Sequence, residues 1–208
     1  PVRRVYCVGR NYAAHAAEMG SEVDREAPFY FTKSARAVLE SGGVLPYPPG
    51  TRDLHHEIEL VVAIGAPAFR VPVAQAMAAV WGYGSGLDMT RRDLQAQAKA
   101  KQRPWDLGKD FEGSAVLSAL TPAEGFTPQA QRIRLEVNGT PRQDARIDEM
   151  VWSVPALIAD LSQYYHLVPG DLIMTGTPAG VGAVGPGDRL SGGVEGLAPV
   201  ELTLGPAA

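Results

Sequence analysis

His55–His56–Glu57–Ile58–Glu59–Leu60–Val61–Val62–Ala63–Ile64 opens with charge and closes on an unbroken apolar run. A strand covered on both faces is the pattern it fits, over Glu57–Ile64. Side chains two apart on a strand share a face, so Glu57 and Glu59 project together with about 7 Å between their Cα atoms. The apolar continuation carries the pair toward the interior.

Outward from this strand the pattern stays mostly β. Arg4–Val8 and Phe29–Thr32 read as short strands, Pro46–Pro49 as a stiff turn, and His15–Met19 as a helical turn or an ordered loop. Pro72 opens an expected helix to Trp81 that ends at the glycines of Gly82–Gly86, and Leu87–Asp88 closes the next short strand. Thr90, with Asp93 three residues on, reads as the N-cap of a helix running to about Arg103, where Pro104 stops it. Ile133–Val137 enters a tight hairpin at Asn138–Gly139. Ser153 caps a second helix whose Val154, Leu157, Ile158 and Leu161 recur at helical spacing. Pro169–Gly170–Asp171 turns into a strand over Leu172–Thr175, Pro186–Gly187–Asp188 makes another turn, and Val200–Leu204 closes the chain as a strand. Strands outnumber helices and do not alternate with them, so the expected class is α+β, predominantly β. The 23 glycines and 17 prolines agree with many short strands joined by shaped loops.

A chain of 208 residues suits one domain with a full core. A net charge of -4 argues against nucleic acid as the main partner, because phosphate binding needs a basic surface. The single cysteine, Cys7, excludes an intrachain disulfide and fits a reducing cytoplasm. It sits in the apolar run Val5–Val8, so a buried structural thiol is expected. No secretory signal opens the sequence and no apolar stretch is long enough to span a bilayer, so no membrane partner is expected.

Four groups of residues carry chemistry. Glu57 and Glu59 repel each other in a dry setting and call for a cation or protons. With Asp88 at a strand end they make a hard, all-oxygen set suited to Mg2+ or Mn2+. An exposed strand start with two solvated glutamates would carry the same letters. One of His55 and His56 could join the glutamates, but not both, since adjacent strand residues face opposite sides. His15 and Glu18 share a face if helical, where the carboxylate would hold one imidazole nitrogen and free the other as a general base; an ordinary surface pair has the same spacing. Arg92 and Gln95, i and i+3 in a helix beginning beside Asp88, suit a substrate carboxylate, although arginine more often sits exposed. Thr175–Gly176–Thr177–Pro178–Ala179–Gly180–Val181–Gly182 lacks the Lys-Ser/Thr ending of a phosphate loop, and no helical pattern follows it. Nucleotide binding is rejected there, while a loop presenting amides and the Thr177 hydroxyl to a small ligand fits.

In order, these segments resemble the fumarylacetoacetate hydrolase family. The matching stretches are Val8–Gly9–Arg10–Asn11–Tyr12 with His15, His55 to Leu60, Leu87–Asp88–Met89–Thr90 with Arg92 and Asp93, Lys109 with Phe111, and Gly170–Asp171–Leu172–Ile173 with Thr175 to Pro178. The nearest likeness is to short fumarylpyruvate and acylpyruvate hydrolases. The resemblance implies one catalytic domain over residues 1–208, a mixed β-roll, a homodimer, and one Mg2+ or Mn2+ held by Glu57, Glu59 and Asp88. It implies that His15 and Glu18 activate water, that Lys109 stabilises oxyanion charge, and that Arg10, Lys33, Arg92, Gln95 and Thr177 surround the substrate. The implied reaction cleaves a carbon–carbon bond of a 2,4-diketo acid to pyruvate and a carboxylic acid, as in gentisate-type aromatic degradation. Decarboxylation or enol–keto tautomerisation of oxaloacetate is the alternative chemistry, and a metal-stabilised ligand-binding protein without turnover the alternative class. Two departures stand out: Ser34 follows Lys33 where relatives often have proline, and Asn11 replaces an aspartate of the larger fumarylacetoacetases, leaving three acidic ligands.

Overall fold

The computed structural model describes residues 1–207, and among them strands outweigh helices. The first half contains β1 (Arg4–Gly9), α1 (Ala13–Glu18), β2 (Phe29–Ser34), β3 (Val38–Glu40), β4 (Gly43–Tyr47), β5 (Leu54–His56) and β6 (Ile58–Ile64). It continues through α2 (Val73–Ala76), β7 (Val80–Asp88), β8 (Thr90–Arg91), α3 (Arg92–Ala100) and α4 (Asp106–Lys109). The second half adds β9 (Ala115–Leu117), β10 (Thr121–Pro122), β11 (Arg132–Val137), β12 (Thr140–Arg146) and α5 (Val154–Tyr164). It closes with β13 (Leu172–Met174), β14 (Gly182–Val184), β15 (Arg189–Val194) and β16 (Val200–Ala207).

The largest sheet runs β2-β1-β13-β6-β7-β9-β3, with β10 also paired to β7; a five-stranded sheet runs β12-β11-β15-β16-β4, and a small one runs β14-β5-β8. Pairing is mixed: β1 with β13, β3 with β9 and β16 with β4 are parallel, and the other ladders are antiparallel. The result is a curled, mostly β architecture with a few short helices.

β6 is the spine of the large sheet, and all seven of its residues are buried. Ile58, Leu60, Val62 and Ile64 face the main core, where they meet Leu135, Val137 and Leu190 of the five-stranded sheet and Leu157, Ile158 and Leu161 of α5. Val61 and Ala63 face the other way, into a smaller cluster with Val5, Cys7, Leu172 and Met174. Burying each large aliphatic side chain contributes about 1.5–3 kcal/mol, so this doubly covered strand is firmly placed. Glu59 has the parity of Val61 and Ala63 and is carried into the interior with them. Cys7 is a buried free thiol in that second cluster.

Several elements differ from expectation. The strand that ends at Asp88 begins as early as Val80, so Gly82, Gly84 and Gly86 lie inside β7. A Cβ on Gly82 would come within 2.2 Å of the Thr121 carbonyl oxygen, and one on Gly86 within 2.7 Å of Val61, so close packing requires them. The helix expected from Pro72 to Trp81 is one turn plus a 3-10 turn ending at Ala79, because Val80 and Trp81 are drawn into β7. Pro46 belongs to β4, an edge strand where a missing N–H is tolerated. Helix α3 begins at Arg92, with Arg91 at the N-cap position, and ends at Ala100 rather than near Arg103. Thr90 does not cap it, because its hydroxyl is engaged at the site described below. Glu57 lies in a one-residue break between β5 and β6 instead of within one strand. Ser153 occupies the N-cap position of α5 without a side-chain capping bond. Asn138 and Gly139 form the hairpin turn with φ of 53° and 73°. No helix among the described residues is long and apolar enough to cross a membrane.

Candidate metal centre and active-site cavity

The break at Glu57, the strand position of Glu59 and the end of β7 at Asp88 converge. Strands β6 and β7 pair with Glu59 opposite Gly86, and the Asp88 N–H donates to the Glu57 carbonyl at 2.9 Å, which fixes the three backbones. One carboxylate oxygen from each of Glu57, Glu59 and Asp88 lies within 4.8 Å of the others, and all three residues are buried.

Three lysine or arginine side chains approach this acidic centre. Lys109 Nζ donates to Glu57 Oε2 at 2.8 Å, Asp88 Oδ2 at 2.7 Å and Thr90 Oγ1 at 2.7 Å. Arg92 donates one guanidinium nitrogen to Glu57 and another to Gln95 Oε1 at 2.7 Å. Lys33 Nζ lies 2.8 Å from Asp88 Oδ1 and donates to the carbonyls of Met89 and Lys109. Glu59 has no cationic partner among the described residues and accepts only the Gly176 N–H, at 2.8 Å.

The charge states follow from this asymmetry. Burial opposes ionisation of Glu57, but Lys109 and Arg92 outweigh it and hold its carboxyl well below the usual range. Burial pushes the Glu59 carboxyl well up, and the neighbouring Asp88 and Glu57 charges push it further. Burial works against the Lys109 ammonium, yet Asp88 and Glu57 prevail and raise its pKa. An all-oxygen donor set with one carboxylate lacking a counter-charge fits a hard divalent cation. Glu57, Glu59 and Asp88 are the residues that could hold it.

His15 stands beside the acids on α1. Its Nδ1 lies 3.4 Å from Glu18 Oε2, and Glu18 is anchored by the Gly180 N–H at 3.1 Å to each carboxylate oxygen. With the proton on Nδ1, Nε2 carries a lone pair. Burial lowers the His15 pKa below the ordinary 6.5, so the neutral base predominates at neutral pH. Arg10, His15, Glu57, Glu59, Arg92, Gln95, Lys109 and Thr177 line one cavity together. Lys33, expected against the substrate, does not line this cavity; it is buried with its Nζ against Asp88. Arg92 is buried rather than solvated.

Some expectations did not foresee the supporting residues. Asn11 sits outside the acidic centre and ties α1 to the chain before α5: it accepts the Trp152 N–H at 2.7 Å and donates to the Trp152 and Thr175 carbonyls. His55 pairs with Asp53, and His56 Nδ1 is 3.0 Å from Gln143 Oε1, so neither imidazole belongs to the acidic cluster. Gln143 on β12 also accepts the Ile58 N–H and donates to Thr177 Oγ1 at 2.7 Å and the Pro178 carbonyl. An amide nitrogen can only donate, so Thr177 keeps its own hydroxyl proton for an acceptor in the cavity. Lys99 and Trp105 line the cavity as well. Lys99 completes the series Arg92, Gln95, Lys99 at i, i+3 and i+7 of α3, a polar stripe at helical spacing that was open to sequence reading.

A buried carboxylate triad that could hold a metal, a neutral imidazole and a cationic cavity wall on a curled mixed-sheet scaffold fit the site of a metal-dependent enzyme. Residues 4–204 match the fumarylacetoacetate (FAA) hydrolase C-terminal family, and the chain belongs to that family. It is 54% identical over 91% of its length to the whole of a fumarylpyruvate hydrolase from Ralstonia sp. It is 44% identical over 97% of its length, and 91% of the relative's, to the mitochondrial oxaloacetate tautomerase FAHD1 of Rattus norvegicus. The structure of fumarylpyruvate hydrolase from Pseudomonas aeruginosa in complex with Mn2+ and pyruvate superposes with a TM-score of 0.94 at 48% identity, covering 99% of this chain and 91% of that one.

Proposed function

We propose that the chain hydrolyses an acylpyruvate, with fumarylpyruvate the preferred substrate, to pyruvate and a carboxylic acid. The observation that carries this reading is His15, held by Glu18 and lining the same cavity as Glu57 and Glu59, with a lowered imidazole pKa. Proton transfer from water needs a neutral, oriented base in contact with the reacting centre. Likeness to fumarylpyruvate hydrolases in sequence and in three dimensions supports the choice of substrate.

A divalent cation, Mg2+ or Mn2+, held by Glu57, Glu59 and Asp88 would supply Lewis acidity toward the 2-oxo acid end of the substrate. His15 takes a proton from water at Nε2 as the oxygen adds to the acyl carbonyl carbon. Glu18 holds the ring through Nδ1 and stabilises the imidazolium that results. The bond between C3 and C4 breaks, C3 leaves with its electron pair as the pyruvate enolate, and a proton then completes the methyl group. Lys109, kept charged by its carboxylate neighbours, stabilises the developing oxyanion charge. Arg92, Gln95 and Thr177 supply donors for the substrate carboxylate, and Arg10 adds positive charge at the cavity wall.

The similarity to oxaloacetate tautomerases favours a second reading, enol–keto tautomerisation or decarboxylation of oxaloacetate at the same site. We read residues 1–208 as one catalytic domain acting as a homodimer, which sedimentation at micromolar protein would check. Pyruvate release from fumarylpyruvate with and without Mn2+, beside the rate of enol–keto conversion of oxaloacetate, separates the two chemistries. Metal-dependent pyruvate release supports hydrolysis, and oxaloacetate conversion alone replaces it with tautomerisation.

A further inference from the structure

Two cations in the cavity wall have no carboxylate partner. Arg92 and Lys109 are committed to Glu57, but neither Lys99 nor Arg10 makes a side-chain hydrogen bond or salt bridge among the described residues. They are joined through a row of aromatic rings. The Arg10 guanidinium lies over Phe29 at 5.9 Å, Phe29 meets Trp105 at 4.9 Å between centroids, and Lys99 Nζ lies over Trp105 at 4.9 Å. Arg10 is held there in a left-handed backbone conformation, φ 57°, which is uncommon for a residue with a Cβ. Arg10, Lys99 and Trp105 thus give the cavity wall a positive, aromatic stretch beside Glu57 and Glu59, the acids in its lining.

The spacing along α3 gives this wall a length. Seven residues separate Arg92 from Lys99, about 10 Å along a helix axis. An extended fumarylpyruvate chain separates its two carboxyl carbons by about 7 Å, within reach of both side chains. Burial lowers the Lys99 pKa, and the like charges of Arg92 and Arg10 lower it further. An entering anion would relieve that repulsion.

We propose that Lys99, with Arg10, forms the subsite for the second carboxylate of a dianionic acylpyruvate, and so selects acyl groups that end in a carboxylate. This rests on the acylpyruvate reading above. Flat, unsaturated acyl chains fit against Phe31 and Trp105, the aromatic rings that line the cavity, while a short neutral acyl group leaves both cations unmatched.

The test compares wild type, Lys99→Gln and Lys99→Arg, loaded with Mn2+, on fumarylpyruvate and acetylpyruvate. In Lys99→Gln the ratio of kcat/KM for fumarylpyruvate over acetylpyruvate falls about ten- to hundredfold, the range for losing a hydrogen bond to a charged group, and the fall lies in KM rather than kcat. Lys99→Arg restores most of the ratio. An unchanged ratio in Lys99→Gln overturns the proposal, as does an equal loss on both substrates. Calorimetric titration of fumarate into protein saturated with Mn2+ and pyruvate decides the subsite separately from turnover. Wild type should bind fumarate at least tenfold more tightly than Lys99→Gln, and equal affinities overturn the subsite. Absence of pyruvate release from either substrate by wild type would count against the hydrolase reading while this titration still judges Lys99.

Discussion

The Glu59 carboxylate accepts a 2.8 Å hydrogen bond from the Gly176 N–H and meets no side-chain cation among the described residues, while its neighbours Glu57 and Asp88 share Lys109. Glu59 is thus the member of the triad whose ionised form is least supported without a metal. Glu59→Gln keeps the shape and removes a buried like charge, so metal-free stability should hold or rise. Breaking a buried, paired charge would instead cost several kcal/mol. The Tm rise on adding Mn2+ should disappear in this variant, and thermal melts with and without the metal measure both effects.

The same asymmetry sets a pH dependence. Glu59 has a folded-state pKa raised above its ordinary 4.5. Its contribution to metal-free stability is therefore fully present below about 4.5 and is lost as pH rises through the folded value. A cation needs the ionised carboxylate, so the metal-induced Tm shift should grow from pH 5.5 to pH 8. A metal at a hundred times its Kd adds about 2.7 kcal/mol. A shift independent of pH would place the cation elsewhere.

Much of this was legible in the sequence. The apolar run after Glu59 fixed one strand and its burial, and the Glu57, Glu59, Asp88 set and the His15–Glu18 spacing emerged as chemical candidates. What stayed hidden depends on long-range pairing. Gly82–Gly86 reads locally as the end of a helix, and only the approach of Thr121 and Val61 explains its place inside a strand. Lys33 and Lys109 lie far apart in the chain but meet at Asp88, and the Gln143 bond to Thr177 joins β12 to the loop after β13. Thr90 looked like a helix cap because the Lys109 ammonium that engages its hydroxyl was not visible locally.

Arg92 bridges Glu57 and Gln95, which fixes the Gln95 carbonyl and turns its amide protons elsewhere. Arg92→Ala should raise KM for diketo acids about ten- to hundredfold, because both an anchor and the orientation of Gln95 are lost. Arg92→Lys should recover little, since an ammonium cannot reproduce the planar fork. Steady-state kinetics of the three proteins on fumarylpyruvate check this, and wild-type KM in Arg92→Ala would refute it.

Gln143→Glu replaces two buried donors with acceptors facing Thr177 Oγ1 and the Pro178 carbonyl. Each unsatisfied buried group costs about 1–3 kcal/mol, so the Tm should fall. Thr177 would turn its proton toward the new carboxylate, and KM should rise with it. Chemical denaturation and steady-state kinetics test the two consequences independently.

His15 is held neutral by burial, with its pKa below 6.5. In the proposed mechanism the base is the unprotonated form, so activity should persist as pH falls to 6.5 and be lost only below it. The same shift affects folding: the unfolded chain takes a proton near 6.5 that the folded chain refuses, so this contribution to stability declines as pH falls below that value. A kcat/KM profile whose acid limb lies above 6.5 would assign it to another group.

The most direct measurement is pyruvate release from fumarylpyruvate by wild type and His15→Ala at saturating Mn2+, with metal binding followed in both. Wild type should release pyruvate and fumarate in equal amounts and stop when the metal is chelated. His15→Ala should bind Mn2+ normally and lose ~10²–10⁴-fold in rate, the usual worth of general-base assistance. Full activity in chelated wild type, or a wild-type rate in His15→Ala, would contradict a metal-centred hydrolysis driven by this imidazole.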